Sequence, residues 1–322
     1  MTLNRKGTAA LISFMLTAGM FSGCSQVSST SNKNGGQGIR VETTMYEKVN
    51  QTIQGKQVEA NKLIKNLYEC IVVSQEKKDN IEIKVTVKEA YVKEEKEKKI
   101  IAEYDSINGL NVTDPLVSPT ITVYSAAVGE SFNAILDEKG NVKEIKESEK
   151  LEKRIIDKLK INDEKIKDKL VPVIKSEFGE GALKDKLQNI IIKQITDKKF
   201  SAGDSWISKE KVDFDTEAAV NTNYKVSKNS DNICYIDMDG KTSTEIKSDI
   251  LQADNLKYIY YGSYDKNGNL EINKSNGFLS KSNVLSKFNG TMEVKDGPKD
   301  LKGKRIPTTI EIQVYINIKD KE

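Results

Sequence analysis

The chain has 322 residues, with 51 basic against 48 acidic side chains, three cysteines, one tryptophan and no histidine. Without imidazole, histidine-based triads and histidine-ligated zinc are excluded. The near balance of charge argues against a polybasic nucleic-acid binder.

Arg5 and Lys6 precede an apolar stretch, Gly7 to Phe21, broken only by Thr8, Ser13 and Thr17. That length suits the core of a signal peptide and falls short of the ~20 residues a membrane-spanning helix needs. The stretch ends in Phe21-Ser22-Gly23-Cys24, which resembles the lipobox of bacterial lipoproteins, with Phe21 in place of the usual leucine. The resemblance implies that residues 1–23 are removed and that Cys24 becomes a lipidated N-terminus. Two acyl chains of the palmitate kind suffice for stable anchoring. Cleavage also removes Arg5 and Lys6, which leaves the chain within about one charge of neutral and gives anionic head groups little to attract. The lipid at Cys24 is then the membrane contact, and the expected location is the extracytoplasmic face of the cell membrane. Residues 24–39 hold the lipidated cysteine and a Ser-, Asn- and Gly-rich tether, which keeps the folded part on the order of 20 Å from the bilayer.

Residues 40–322 read as a single α+β domain. Val41, Thr43, Met45, Val49 and Ile53 alternate with Glu42, Tyr46, Lys48, Asn50 and Thr52, the mark of a strand with one buried and one wet face. Gly55-Lys56 separates it from a long second strand, and Ile81 to Val87 alternate strictly as a third. The charged run Lys93 to Lys99 precedes a strand at Ile100–Tyr104, and residues 108–119 lack periodicity and read as a loop. A helical insert at about 148–198 follows, with stripes Leu151/Ile155/Ile156/Leu159, Ile166/Leu170/Val173/Ile174/Phe178 and Leu183/Leu187/Ile190/Ile191/Ile195. Pro172 is expected to kink or restart the second helix. Asp239-Gly240, Asn267-Gly268, Asn276-Gly277 and Asn289-Gly290 read as tight turns, and the segment 258–294 as an antiparallel meander. Ile310, Ile312, Val314, Ile316 and Ile318 close the chain as a strand. One wetted face favours antiparallel pairing, so the expected fold is a long-stranded antiparallel sheet, curved like a half-barrel, with the helices packed on one face.

Two local patterns carry a family resemblance. Ser131 to Ile145 reads as strand, turn at Asp137-Glu138-Lys139-Gly140, and strand. Gly203-Asp204-Ser205-Trp206 opens the strand after the helices, with Phe178-Gly179-Glu180 and Ala182-Leu183 between them. Together they resemble an uncharacterised family of bacterial lipoproteins known only by a domain of unknown function. Agreement is best over residues 131–206, and the run Asp197 to Ala202 departs from the family's proline-bearing segment. The resemblance implies the architecture and the anchor, and supplies no catalytic residue, cofactor or substrate.

Cys70 and Cys234 have no metal-type spacing. They read as buried free thiols, although the compartment permits a disulfide between them. Trp206 is expected to anchor helices to the sheet. An enzyme lacking histidine would need a carboxylate pair, a Ser–Lys couple or an activated thiol. None of these stands out, phosphate-binding glycine loops are absent, and no cofactor or metal is expected. The expected function is a non-catalytic binding protein for an apolar or amphiphilic ligand. The alternative is a structural or partner-binding module of the envelope, with Tyr258, Tyr260, Tyr261 and Tyr264 as its candidate surface.

Overall fold

A computed structural model describes residues 38–76, 80–109, 118–137, 141–190, 200–211, 219–253, 256–274 and 279–320. Cys24, the signal segment, the tether up to residue 37, the end of the helical insert at 191–198 and Asn276-Gly277 lie outside the described residues.

Among the described residues, fourteen strands form one sheet. Its main path runs β6-β5-β3-β2-β1-β14-β13-β12-β9-β8-β7, and β4, β10 and β11 pair off that path. The strands are β1 (Gly38–Ile53), β2 (Lys56–Glu76), β3 (Asn80–Lys96), β4 (Lys99–Asp105), β5 (Ser131–Asp137), β6 (Val142–Lys146), β7 (Ser205–Lys211), β8 (Ala219–Asn229), β9 (Ile233–Thr242), β10 (Ile246–Lys247), β11 (Leu251–Ala253), β12 (Leu256–Asn273), β13 (Leu279–Asp296) and β14 (Arg305–Asp320). The four helices among the described residues are α1 (Pro119–Ala127), α2 (Ser148–Leu159), α3 (Glu164–Phe178) and α4 (Glu180–Ile190). The pairings described are antiparallel, and the two ends of the domain meet at the sheet's centre, where β1 pairs β14 along Ile39↔Asp320 to Gln51↔Thr308. This is the expected α+β class with a helical insert on one face.

Local chemistry sets the first hairpins. Gln54 and Gly55 both have positive φ, as do Glu97 and Lys98, the geometry a two-residue hairpin turn needs to match strand twist. The β5–β6 turn is tied by Asp137, whose carboxylate accepts from the Asn141 backbone N–H at 2.8 Å and its side-chain amide at 2.9 Å. The charged run from Lys93 belongs to the end of β3 and the turn into β4, so that strand is longer than its alternation suggests.

The helical stripes face inward: Leu151, Ile155, Leu170, Val173, Ile174, Phe178, Leu183 and Leu187 are buried. The helices lie over β3–β6, with α1 between α2, α3 and the sheet. Asp163 caps α3, accepting from the Lys165 N–H at 2.8 Å. Of the two outcomes expected at Pro172, a kink or a restart, the restart does not occur: α3 runs through the proline to Phe178. Packing of Leu170, Val173 and Ile174 on both sides of the proline holds the helix together despite one missing N–H. Helix α1 was not legible either. Its Thr-Ile-Thr-Val core favours strand, yet Ser118 caps it through the Ile121 N–H at 3.1 Å, Pro119 starts it, and its residues are buried around most of the circumference. Such a helix has no stripe to read.

The segment 258–294 is antiparallel as expected, but as two strands of 18 residues each, β12 and β13. Asp239-Gly240, Asn267-Gly268 and Asn289-Gly290 are not turns, and Asn276-Gly277 lies outside the described residues. Gly240, Gly268 and Gly290 sit inside strands, paired at Gly240↔Lys266, Gly268↔Val284 and Gly290↔Gly262. A Cβ on Gly268 would lie 2.2 Å from the Asn283 carbonyl oxygen, and one on Gly290 would lie 2.0 Å from that of Tyr261. Gly268 and Gly290 thus serve close backbone approach within a bent sheet, whereas a Cβ on Gly240 would meet the side chains of Thr222 at 2.7 Å and Val220 at 2.8 Å.

Flat, a path of eleven strands would be about 50 Å wide, whereas helices of 9–15 residues reach only about 14–22 Å. One face is nevertheless buried from Val92 to Val226, which requires the sheet to coil so that its own walls cover one another. The interior divides into two apolar clusters. The larger takes in the helices, Val41, Ile64, Val92, Val226 and Ile236, and the smaller gathers Val49, Tyr260, Phe288, Met292 and Ile310. Between them the register lines up a polar row, Glu94–Lys62–Glu47–Ile312–Ser286–Lys266–Gly240–Thr222. Met45 and Val314 touch both clusters.

Candidate interaction surface

The outer face of the sheet carries a patch that exists only because the chain's ends pair. Tyr46 on β1 stands opposite Gln313 and Leu63, while Tyr315 on β14 stands opposite Thr44 and Asn283. The two tyrosines are therefore diagonal neighbours on adjacent strands, within reach of each other for aromatic side chains. They are 38% and 41% exposed. Leu63 and Leu285 flank them, half-buried, in the same row. Tyr91 lies at the end of the Tyr315 row, under the Lys65 ammonium at 5.4 Å from its ring centroid. Its hydroxyl donates to Glu103 at 2.7 Å, and burial together with that carboxylate pushes its phenol up to about 12.

Ion pairs bound the patch on both sides. Lys48–Glu59 at 2.9 Å and Lys287–Glu311 at 2.7 Å lie along one margin, and Lys319–Glu42 at 2.8 Å along the other. The Lys319 and Asn317 hydrogen bonds hold the Glu42 carboxyl below its ordinary value. Exposed pairs of this kind add little stability, but an aromatic centre with a charged rim has the anatomy of a binding surface.

The tyrosines singled out from sequence do not form such a surface. Tyr258, Tyr260 and Tyr264 are 3%, 0% and 3% exposed and belong to the smaller cluster; only Tyr261 is partly exposed. Tyr260 meets Tyr258 and Phe288 edge-on, and the Tyr264 hydroxyl donates to Ser286 Oγ at 2.9 Å. Ring-rich strand composition is the same for an inner as for an outer face, so the choice between them lay in the register. Tyr46 and Tyr315 were each readable as outward residues of their own strands. The signal that unites them is the β1–β14 pairing.

Trp206 stacks between Phe200, with centroids 5.0 Å apart, and Tyr224, 5.3 Å apart and nearly parallel at 7°. These ring partners come from the segment leading into β7 and from strand β8, and Trp206 packs against the larger cluster. Gly203-Asp204-Ser205 is a tight structural turn. Gly203 has φ +95°, its N–H donates to Val226 O at 2.8 Å, and the Asp204 carboxylate accepts from the Ser201 N–H at 2.8 Å. Cys70 and Cys234 are buried free thiols, and burial pushes the Cys70 thiol up to about 12.

Beneath the helices a buried polar network seats the insert. Tyr124 donates to Glu177 Oε2 at 2.6 Å, and the Lys186 ammonium donates to the same oxygen and to the Glu177 carbonyl, each at 2.7 Å. Lys186 also lies 5.2 Å from the Phe178 ring centroid. Burial would favour a neutral Lys186, but the Glu177 charge outweighs it and raises the ammonium's pKa. Among the described residues no group of three or more acidic or cysteine side chains could hold a metal ion, and no helix is long and apolar enough to cross a membrane.

Comparison with known proteins adds family but no activity. No curated protein matches the chain. A crystal structure of Pseudomonas aeruginosa OpdQ aligns over 89% of this chain and 99% of that one, at 6% identity and a TM-score of 0.20, a likeness too slight to carry an argument. A family model matches residues 78–279, which takes in the β5–β6 hairpin, the helices and Gly203-Asp204-Ser205-Trp206, while β1, β2 and β14 lie outside it. The chain belongs to the family of unknown function DUF6263.

Proposed function

We propose that this chain is a lipid-anchored extracytoplasmic lipoprotein, held to the membrane through Cys24, whose domain is a non-catalytic module that binds an envelope protein through the outer face of its sheet. The observation that carries the partner-binding reading is the exposed Tyr46–Tyr315 pair, flanked by Leu63 and Leu285 and bounded by ion pairs. The anchor rests on the sequence of residues 5–24.

Two measurements test the reading. Cys24→Ala is expected to move the protein from the membrane to the soluble extracytoplasmic fraction; unchanged membrane retention overturns the anchor. A photo-crosslinker at Tyr46 or Tyr315 is expected to capture a discrete envelope protein that the same probe at Thr52 does not. Identical adducts from both places would remove the surface from consideration.

A second reading, carriage of an apolar or amphiphilic ligand, is supported by the coiled sheet with helices across its inner face and by an apolar dent between α2 and α3. The dent is lined by Ile156, Leu159, Leu170 and Ile174, with a volume of about 10 Å³, on the scale of one water. Small-molecule sites usually run to several hundred Å³, so a ligand there would have to part the helices. Mass spectrometry of the purified protein checks this reading: a stoichiometric amphiphile supports it, and none counts against it.

A further inference from the structure

The polar row inside the sheet contains a carboxyl group that no contact satisfies. Glu47 is 2% exposed, and among the described residues neither of its oxygens has a hydrogen-bond partner. It sits where the two apolar clusters meet, with Val49 of the smaller cluster two residues on and Met45, which touches both, two residues before. An ionised carboxylate without partners at such a depth costs several kcal/mol, and proteins commonly resolve the conflict by protonating the group.

The charged and titratable groups around it come from each side. Lys62 stands directly opposite on β2 and favours the ionised form. Glu94, next along the row on β3, and Glu177 on α3 oppose it. Lys186 of α4 is already hydrogen-bonded to Glu177. Tyr260 of β12 is also coupled to Glu47: its ionisation is disfavoured first by burial, then by Tyr258 and by the Glu47 carboxyl. On β14 the facing residue is Ile312, which is apolar. Burial dominates this balance and raises the Glu47 pKa above its ordinary 4.5.

We propose that Glu47 is a neutral acid at the junction of the two cores, and that losing its proton loosens the seam between the helical layer and the smaller cluster. The fold therefore contains an alkaline-sensitive latch. The proton released goes to solvent, and the charge left behind must draw in water or pull Lys62 inward, either of which parts the surrounding side chains.

Linkage fixes the sign. The folded state holds the Glu47 proton to higher pH than the unfolded chain does. Stability is therefore full below the unfolded value near 4.5 and declines as pH rises toward the folded value. Over that window the folded-to-unfolded ratio falls by about tenfold per pH unit from this one group. The experiment compares urea unfolding of the full-length chain in detergent with that of Glu47→Gln across pH 5 to 9. Wild type is expected to lose stability relative to the variant as pH rises, and amide exchange in β1 and α3, corrected for intrinsic rates, is expected to quicken in wild type alone. A second readout needs no variant: the infrared carbonyl stretch of a buried protonated carboxyl group, present at neutral pH and lost on alkalinisation. Parallel pH–stability curves, or the absence of a protonated buried carboxyl at neutral pH, overturn the proposal. If Glu47→Gln does not fold, the infrared titration of wild type decides.

Discussion

Gly268 offers the sharpest test of how this sheet is built. As a turn residue after Asn267, it would need only a backbone that tolerates positive φ, so asparagine would cost little and alanine only the left-handed strain of about 1 kcal/mol. As a strand residue at a close approach, it has no room for a side chain: a Cβ would stand 2.2 Å from Asn283 O and 2.8 Å from Val284 Cα. Those atoms belong to the backbone of a paired strand and cannot escape by rotating a side chain. Relief to ordinary contact requires the β12–β13 ladder to shift by about 1 Å, which places the cost at the upper end of the overpacking range, about 3 kcal/mol for Gly268→Ala. Gly55 is the control. It has φ +78°, and a methyl group added there would meet nothing within 4 Å, so Gly55→Ala meets only left-handed strain of about 1 kcal/mol. At roughly 2–4 °C per kcal/mol for a chain of this size, thermal unfolding followed by circular dichroism should fall about 6–12 °C for Gly268→Ala and about 2–4 °C for Gly55→Ala. Asparagine separates the mechanisms further: it tolerates the left-handed region, so it should be milder than alanine at 55 and harsher at 268. Equal losses at the two sites, or a Gly268→Asn variant milder than Gly268→Ala, would refute the close-approach argument.

The network under the helices should respond asymmetrically. Glu177 is 2% exposed while the Lys186 side chain is 30% exposed, so lysine can find water and glutamate cannot. Lys186→Met should cost about 3 kcal/mol by leaving the buried carboxylate without its hydrogen-bonded cation, and Glu177→Gln about 1–2 kcal/mol. In Lys186→Met the folded chain would hold the Glu177 proton more tightly than the unfolded chain, so its stability should fall as pH rises through the carboxylate range; urea melts at several pH values check both points. Cys70, buried and with its thiol near 12, has almost no thiolate at pH 8. Modification of Cys70 and Cys234 by a thiol reagent should therefore track global unfolding in urea, and fast labelling of either under native conditions would contradict their burial.

How much of this was readable in advance follows from where each feature's information resides. The stripes of α2, α3 and α4 depend on adjacent residues, and composition with period exposes them. The first turn falls at Gln54-Gly55, one residue before the expected Gly55-Lys56, and the Glu97-Lys98 turn lies inside a charged run that reads only as preceding β4. The proposed interaction surface was half legible. Tyr46 and Tyr315 each face outward in their own alternation, but nothing near either residue says that residue 46 will lie one strand from residue 315. The inner tyrosines of β12 failed as a surface because a strand's alternation distinguishes its two faces without saying which one the core will take.

The amino-acid sequence by itself determined the one-sided strands, the amphipathic helices, the local turns and the Cys24 pattern on which the anchor reading rests, since each is written within a few neighbouring positions. Only the tertiary structure decided that β1 closes on β14, that Asn-Gly pairs lie in mid-strand, that the Thr- and Val-rich segment at 119–127 is a buried helix, and that Glu47 ends between two cores. Those outcomes belong to burial shared across the coiled sheet: a glycine is required, a β-branched helix is tolerated, and a carboxyl group is stranded, according to which distant strand arrives opposite.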